Sequence, residues 1–315
     1  EGARAYKEDE SARLEINDLA EQSFEPKSGL YVQIYDLCKK WSFEQIDATV
    51  KRLGNIATER RFLESEADYR GVLTVKKHVP GVFQESDGAI IFKGSEHGSF
   101  DNAFVASNGR GLYAARDLGL MELKNEQYHP NRSYIVTAEE QRDYFKGVIA
   151  AAGLVWPEQA GTTVNISTGT VKLSTGKMSS RDGDVITIEW LFDEFAKAIS
   201  ERGGKPTDEV VAGALRYQFL RVKIGGDVIF DINEAVSLTG NTGSYLQYAH
   251  ARAKSILDKV SSATVPLTEL YPEDRALVRK LSEYHEVVSH AASVLEPHHI
   301  CNYLFELAQE FNRYY

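Results

Sequence analysis

The chain has 315 residues, 43% of them hydrophobic and 26% charged, with a formal charge of −10. It is too long for one ordinary compact domain and apolar enough for a real core, so a soluble protein of two or more units is expected. No apolar run reaches membrane-spanning length, and the two cysteines, Cys38 and Cys301, form no CxxC pair, so neither a membrane segment, a disulfide framework nor a zinc site is indicated.

A reducing, cytoplasmic setting fits this composition, and the acidic balance counts against nucleic acid unless basic residues cluster locally. From Ala3 to about Phe24 the pattern is a charged helix, and a second helix is expected around Tyr31–Trp41. Ser42 with Gln45 at capping-box distance predicts a third helix starting there. From Gly71 the period changes to short strand-like runs, "VLTVKKHV", "AIIFKG" and "AFVAS", separated by turn residues. Helix "GLYAARDLGLMEL" follows, and then "SYIVT" with "AEEQRDYFKGVIAAAG" reads as strand then helix, the unit of a parallel sheet. "TTVNIS-TG-TVKLS" predicts a hairpin. After Ile188 the pattern is helical to the end, with helices expected over 189–202, 208–222, 243–260, 272–295 and 297–315. The start at Glu1-Gly2 without methionine, and the stop inside the helical "FELAQEFNRYY", predict a piece of a longer protein.

The hairpin leads into "STGKMSSRDGD". Lys177 is a compact ammonium, Ser179 and Ser180 add hydroxyls, and Gly176 and Gly183 let the backbone approach a ligand. Such a loop suits a triphosphate, whose charge grows on the leaving pyrophosphate during in-line attack. Alone, the string is equally a solvated surface turn.

Lys177-Met178-Ser179-Ser180 is similar to the KMSK signature of class I aminoacyl-tRNA synthetases, with serine in the last place. "GLYAARDLGL" resembles the tyrosine-to-aspartate helix of arginyl-tRNA synthetases, and "YIVTAEEQRDYF" their strand–helix carrying a glutamine. "GALRYQFLR…DVIFDINEAVSLTGNTGSYLQYAHAR" looks like their junction between catalytic and anticodon-binding domains. The resemblance covers nearly the whole chain, most weakly before residue 60. It implies an α/β region followed by an all-α one: part of a Rossmann-type nucleotide-binding domain joined to a helical anticodon-binding bundle. The expected organisation is a helical segment of the catalytic region over 1–70, the second half of the catalytic domain over 71–190, a helical junction over 191–240 and a truncated anticodon-binding domain over 241–315.

Tyr113 and Asp117 are four apart and share a helix face, where a carboxylate can take a guanidinium fork in bidentate fashion and a phenol adds an oriented contact. Outside this context they are an ordinary surface pair. The resemblance implies that Tyr113 and Asp117 contact the side chain of L-arginine and that Gln141 helps hold its α-amino end. It implies that Lys177, Met178, Ser179 and Ser180 bind ATP, with Lys177, Ser179 and Ser180 serving catalysis and Mg²⁺ entering as the ATP complex, without any tightly bound cofactor. In "GSYLQYAHARAKSIL", Leu246, Ala249, Ala253, Ile256 and Val260 form a core stripe, and Tyr245, Tyr248 and Arg252 a neighbouring aromatic and cationic one. That second stripe could stack on unpaired tRNA bases and touch phosphates, or cap the bundle with its hydroxyls at the surface. The resemblance favours tRNA contact, with "SLTGNTG" ordering on binding.

His298, His299 and Cys301, with His285 and His290 nearby, have no recognised ligand spacing, and no metal site is expected. The family's H-x-G-H motif does not occur, and Glu96-His97-Gly98 falls in a strand–turn region. Losing one transition-state donor costs about a hundred- to a thousandfold in rate, so the chain is expected not to aminoacylate by itself. The expected function is therefore arginine–tRNA ligation, with this chain as an incomplete, monomeric part. A non-catalytic tRNA-binding protein and another class I synthetase are the alternatives.

Overall fold

A computed structural model describes residues 2–22, 29–173, 187–260 and 269–315. The chain divides into two compact units, Glu1–Thr58 and Glu59–Tyr315.

In the first unit, α1 (Gly2–Glu8) and α2 (Glu10–Gln22) replace the single expected charged helix. The joint is Asp9, whose carboxylate accepts from the backbone N–H of Ser11 (2.8 Å) and Ala12 (3.2 Å), a cap inside an otherwise continuous run. The next helix, α3 (Gly29–Arg52), passes straight through Ser42, so the expected boundary there is absent. With neither glycine nor proline between Tyr31 and Arg52, nothing forces a stop, and an exposed serine is only mildly unfavourable inside a helix.

The second unit begins with α4 (Glu64–Lys77), where the sequence reading placed the strand "VLTVKKHV". Tertiary packing overrides the β-branched residues. A Cβ on Gly71 would lie 1.7 Å from the carbonyl oxygen of Ala115, and one on Gly119 would lie 2.0 Å from that of Ala67. Ala67 and Gly71 thus meet Ala115 and Gly119 of α5 (Tyr113–Tyr128) backbone to backbone, a fit that needs a helix at both places. Gly71 is a contact point rather than a boundary.

Strands β1 (Gln84–Ser86), β2 (Ala89–Phe92) and β3 (Asn102–Val105) form an antiparallel sheet in that order. Phe83, Phe92 and Phe104 pack there with ring centroids 4.9–6.2 Å apart, and the core continues through Val75, Leu118 and Val148. Strand β4 (Ser133–Ala138), helix α6 (Arg142–Val155) and β5 (Thr163–Thr168) make the expected parallel unit, in register from Ser133–Thr163 to Ala138–Thr168.

The expected hairpin does not form. Strand β6 (Val171–Leu173) pairs not with β5 but in parallel with β7 (Val228–Phe230), a strand the helical reading of the C-terminal half missed. Gly169 explains the geometry: a Cβ there would lie 2.2 Å from the Gly226 carbonyl oxygen, so the linker presses against the β7 approach instead of turning back. Asp227 anchors it by accepting from Thr170 N (2.9 Å) and pairing with Lys172.

The remainder is helical: α7 (Ile188–Glu201), α8 (Asp208–Leu220), the single turn α9 (Ile232–Ala235), α10 (Gly243–Leu257), α11 (Pro272–Ser282), α12 (Tyr284–Val294) and α13 (His298–Tyr314). Four of these helices start on Thr187, Thr207, Asp231 and Thr242, each accepting an N-terminal backbone N–H. The expected long helix over 272–295 is two, α11 and α12. The architecture is mixed α/β followed by all-α. Among the described residues no helix is long and apolar enough to cross a membrane.

Candidate functional site

The first cluster lies where α5 faces α6. Asp117, one turn into α5, accepts from the Tyr144 hydroxyl of α6 at 2.5 Å. Tyr113 does not share that contact: it opens α5, is 72% exposed, and its ring lies under the Arg116 guanidinium at 5.4 Å. Arg116 in turn donates to Asp68 Oδ1 and Glu64 Oε2 on α4, both at 3.1 Å. Gln141 closes a short 3₁₀ turn and opens α6, one turn before Tyr144, with its amide exposed and unpartnered among the described residues. Tyr113 and Asp117 therefore share α5 as expected, while the phenol bonded to the carboxylate is Tyr144.

Burial raises the Asp117 carboxyl above its ordinary range, and the Glu64 charge adds to this; the Tyr144 hydrogen bond and the Arg116 charge pull it back. Burial and the adjacent carboxylate push the Tyr144 phenol upward, so it stays a donor throughout the neutral range. No ion pair reaches Asp117 among the described residues, because the one guanidinium beside it is shared by Glu64 and Asp68. Three carboxylates around one guanidinium leave negative charge uncompensated, and a half-buried carboxylate gains most from a cation that brings its own hydrogen bonds.

Sequence reasoning missed Tyr144, Glu64 and Asp68. Tyr144 stood in the quoted "YIVTAEEQRDYF", three residues after Gln141 and hence on the same side of α6. Glu64 and Asp68 had no local signal, since only the α4–α5 crossing brings them to Arg116. Lys177, Met178, Ser179 and Ser180 lie outside the described residues.

The second cluster lies between α10 and α13. Tyr245 is half-buried, its ring edge-on to Phe305 at 5.7 Å and its hydroxyl accepting from Asn312 Nδ2 at 2.9 Å. Arg252 donates to the same Asn312 through its Oδ1 at 2.8 Å, and its guanidinium lies 5.3 Å from the Tyr248 ring and 3.8 Å from that of Tyr315. Tyr248 and Tyr315 are exposed, so the stacked cation sits between two accessible rings. The core stripe runs out along α10: Ala249 is buried, whereas Ile256 and Val260 are exposed. The loop before α10 is already held. Thr242 donates to the Ser237 carbonyl at 2.6 Å, and Tyr217 of α8 and Arg221 just past its end donate to Asn241.

A third cluster gathers histidines for which no metal site is expected. Glu296, His298 and His299 bring ligand atoms within 4.8 Å of one another, and the His290 ring is 4.7 Å from that of His299. Burial lowers the His298 pKa. The same carboxylate carries the exposed Lys223 ammonium at 3.6 Å.

Residues 246–315 match the DALR anticodon binding domain family. Across 98% of its length the chain is 29% identical to the arginine–tRNA ligase of Borrelia garinii subsp. bavariensis, and across 90% it is 29% identical to that of Porphyromonas gingivalis. These alignments cover 57% and 51% of those proteins, so the chain spans about half the length of the curated relatives it matches. The solved arginyl-tRNA synthetase of Thermus thermophilus superposes with a TM-score of 0.70 at 26% identity, covering 85% of this chain and 54% of that one. A mixed α/β region running into a helical anticodon-binding fold is the arrangement of an aminoacyl-tRNA synthetase. Over nearly its whole length the chain is similar to arginyl-tRNA synthetases.

Proposed function

We propose that this chain is the arginine-selecting and tRNA-reading part of an arginine–tRNA ligase that acts in the cytoplasm. In that reaction the arginine carboxylate attacks the α-phosphorus of ATP, supplied with Mg²⁺, and pyrophosphate leaves. The terminal tRNA hydroxyl then attacks the adenylate carbonyl and AMP leaves. Asp117 accepts the substrate guanidinium, Tyr113 offers its exposed ring and phenol at the mouth of the same helix, and Gln141 takes the α-amino end. Lys177, with Ser179 and Ser180, draws the negative charge onto the departing pyrophosphate. Tyr248 and Arg252, with Tyr245 behind them, form the surface that meets the tRNA.

The observation that carries this reading is the half-buried Asp117 carboxylate, without an ion pair among the described residues, in a chain aligned across 98% of its length with an arginine–tRNA ligase. The α5–α6 approach gives that carboxylate one hydrogen-bonded oxygen and one without a hydrogen-bond partner among the described residues. Arg116 between Glu64, Asp68 and the Tyr113 ring displays how this neighbourhood receives a guanidinium. In the complete synthetase, Asp117→Ala should reduce kcat/KM for arginine in ATP–pyrophosphate exchange by about a hundredfold or more, the loss of a charge-assisted pair. Exchange at near the unaltered rate in that variant would remove Asp117 from the site and the proposal with it.

A further inference from the structure

We infer that Tyr144 is a positioning residue that sets both the aim and the ionisation of Asp117, and so tunes the recognition of the guanidinium; this rests on the reading above. The Tyr144 hydroxyl donates to Asp117 Oδ2 at 2.5 Å, the one hydrogen bond either group makes among the described residues. Two consequences follow from the bond.

The first is directional. A carboxylate on a helix can swing about χ2, and that rotation is broad for an aspartate. With Oδ2 tied to α6, the plane of the carboxylate is fixed and Oδ1 becomes the oxygen presented to a ligand. The phenol oxygen, having spent its proton, keeps lone pairs beside it. A guanidinium N–H pair arriving there meets two oxygens of different residues rather than the two oxygens of one carboxylate, so the bidentate Asp117 fork expected from sequence is replaced by a shared one. Tyr144 is itself held by its ring, half-buried and edge-on to Phe145 at 5.0 Å, so its hydroxyl is a fixed donor.

The second is electrostatic. Asp117 is surrounded by influences that favour its neutral form, burial and the Glu64 carboxylate, and these outweigh the Arg116 charge. A neutral carboxyl would be a poor partner for a guanidinium. The groups facing Asp117 from the packed elements are Glu64 on α4, Arg116 on its own helix and Tyr144 on α6, and of these Tyr144 is the one that binds the ionised form directly. Its donation stabilises the carboxylate and resists protonation as pH falls.

The experiment is Tyr144→Phe, which keeps the ring packing and deletes the hydroxyl. Carboxyl-carbon NMR titration of Asp117 in the 315-residue chain should show the variant protonating at higher pH than the unaltered protein. In the complete synthetase, the KM for arginine in pyrophosphate exchange should rise about tenfold while the KM for ATP stays in place, a hydrogen bond to a charged group being worth that much. The acidic limb of kcat/KM for arginine should move to higher pH with it. An Asp117 titration that Tyr144→Phe leaves unmoved overturns this inference, whatever the kinetics show. If instead the titration moves while the unaltered synthetase shows no arginine dependence, it is the proposed function that falls.

Discussion

The α4–α5 crossing and the α10–α13 crossing solve helix packing in opposite ways. At the first, Ala67, Gly71, Ala115 and Gly119 remove side chains altogether, and one helix rests on the carbonyl oxygens of the other. At the second, Tyr245, Arg252 and Asn312 join the helices through two hydrogen bonds, an edge-on ring contact to Phe305 and a guanidinium against the Tyr315 ring, with Tyr248 and Tyr315 left accessible. The first has almost no rotamer to change, so it fixes the backbone from which Glu64, Asp68, Arg116 and Asp117 project. The second is built from long polar side chains that can exchange a partner on the protein for one on a ligand. A site that must tell one amino acid from others profits from the first kind, and a surface that meets a large RNA profits from the second.

The largest effect is expected from Gly119→Ala. In an open helix this change stabilises by about 1 kcal/mol. Here the new Cβ would sit 2.0 Å from the Ala67 carbonyl oxygen, and backbone on both sides prevents relief. A net destabilisation of about 3 kcal/mol or more is expected, read as a lower denaturation midpoint. Arginine use should fall in parallel, because Arg116 and Asp117 flank the contact. A midpoint that rises would show that the helices can part, and would break the contrast.

How much of this was legible in the sequence follows the range of the forces involved. The β4–α6 strand-then-helix unit and the Tyr113-to-Asp117 helix are local patterns, and they were readable. The α4 helix was misread because Val72, Thr74 and Val75 carry strand propensity, while the reason for a helix lies about 45 residues further on, at Ala115 and Gly119. The β6–β7 pairing was missed for the same reason, its partners being 57 residues apart. Tyr144 was in plain view within the quoted motif, yet only the approach of α6 to α5 turns it from a surface tyrosine into the donor to Asp117. Tyr245 and Arg252 were found as a stripe, but the Asn312 that joins them belongs to α13.

An intermediate effect is expected from Tyr217→Phe at the root of the second crossing. Tyr217 is buried on α8, with its hydroxyl 2.5 Å from Asn241 Oδ1 and 3.0 Å from the Cys301 carbonyl, and burial raises its pKa so that it remains protonated. That single hydroxyl ties the loop before α10 to α13. Removing it should cost about 1–2 kcal/mol in chemical denaturation, since buried acceptors lose their donor. It should also weaken tRNA affinity more than it affects arginine KM, because the loop and α10 bear the stripe proposed to meet the tRNA. Equal losses at both would mean that the two regions are coupled more tightly than their construction implies.

The smallest effect, and the most diagnostic of the rigid region, is a gain. Asp117 titrates above its ordinary range in the fold, chiefly through burial. A carboxyl with a raised folded pKa favours the protonated native state. Its contribution is therefore intact below the ordinary aspartate range and is lost as pH rises through the folded value. At neutral pH the ionised group is a cost to stability that the frame of α4, α5 and α6 tolerates. Asp117→Asn keeps an oxygen for Tyr144 to donate to, yet carries no charge to be buried. Its Tm at pH 7 should be slightly above that of the unaltered chain, and the advantage should shrink on acidification as Asp117 itself becomes neutral. Arginine affinity should meanwhile collapse, since the neutral amide offers a guanidinium no counter-charge. Stability gained and recognition lost in one substitution is the behaviour of a charge retained for its ligand, and a variant with a lower Tm at pH 7 would show that Asp117 serves the fold instead.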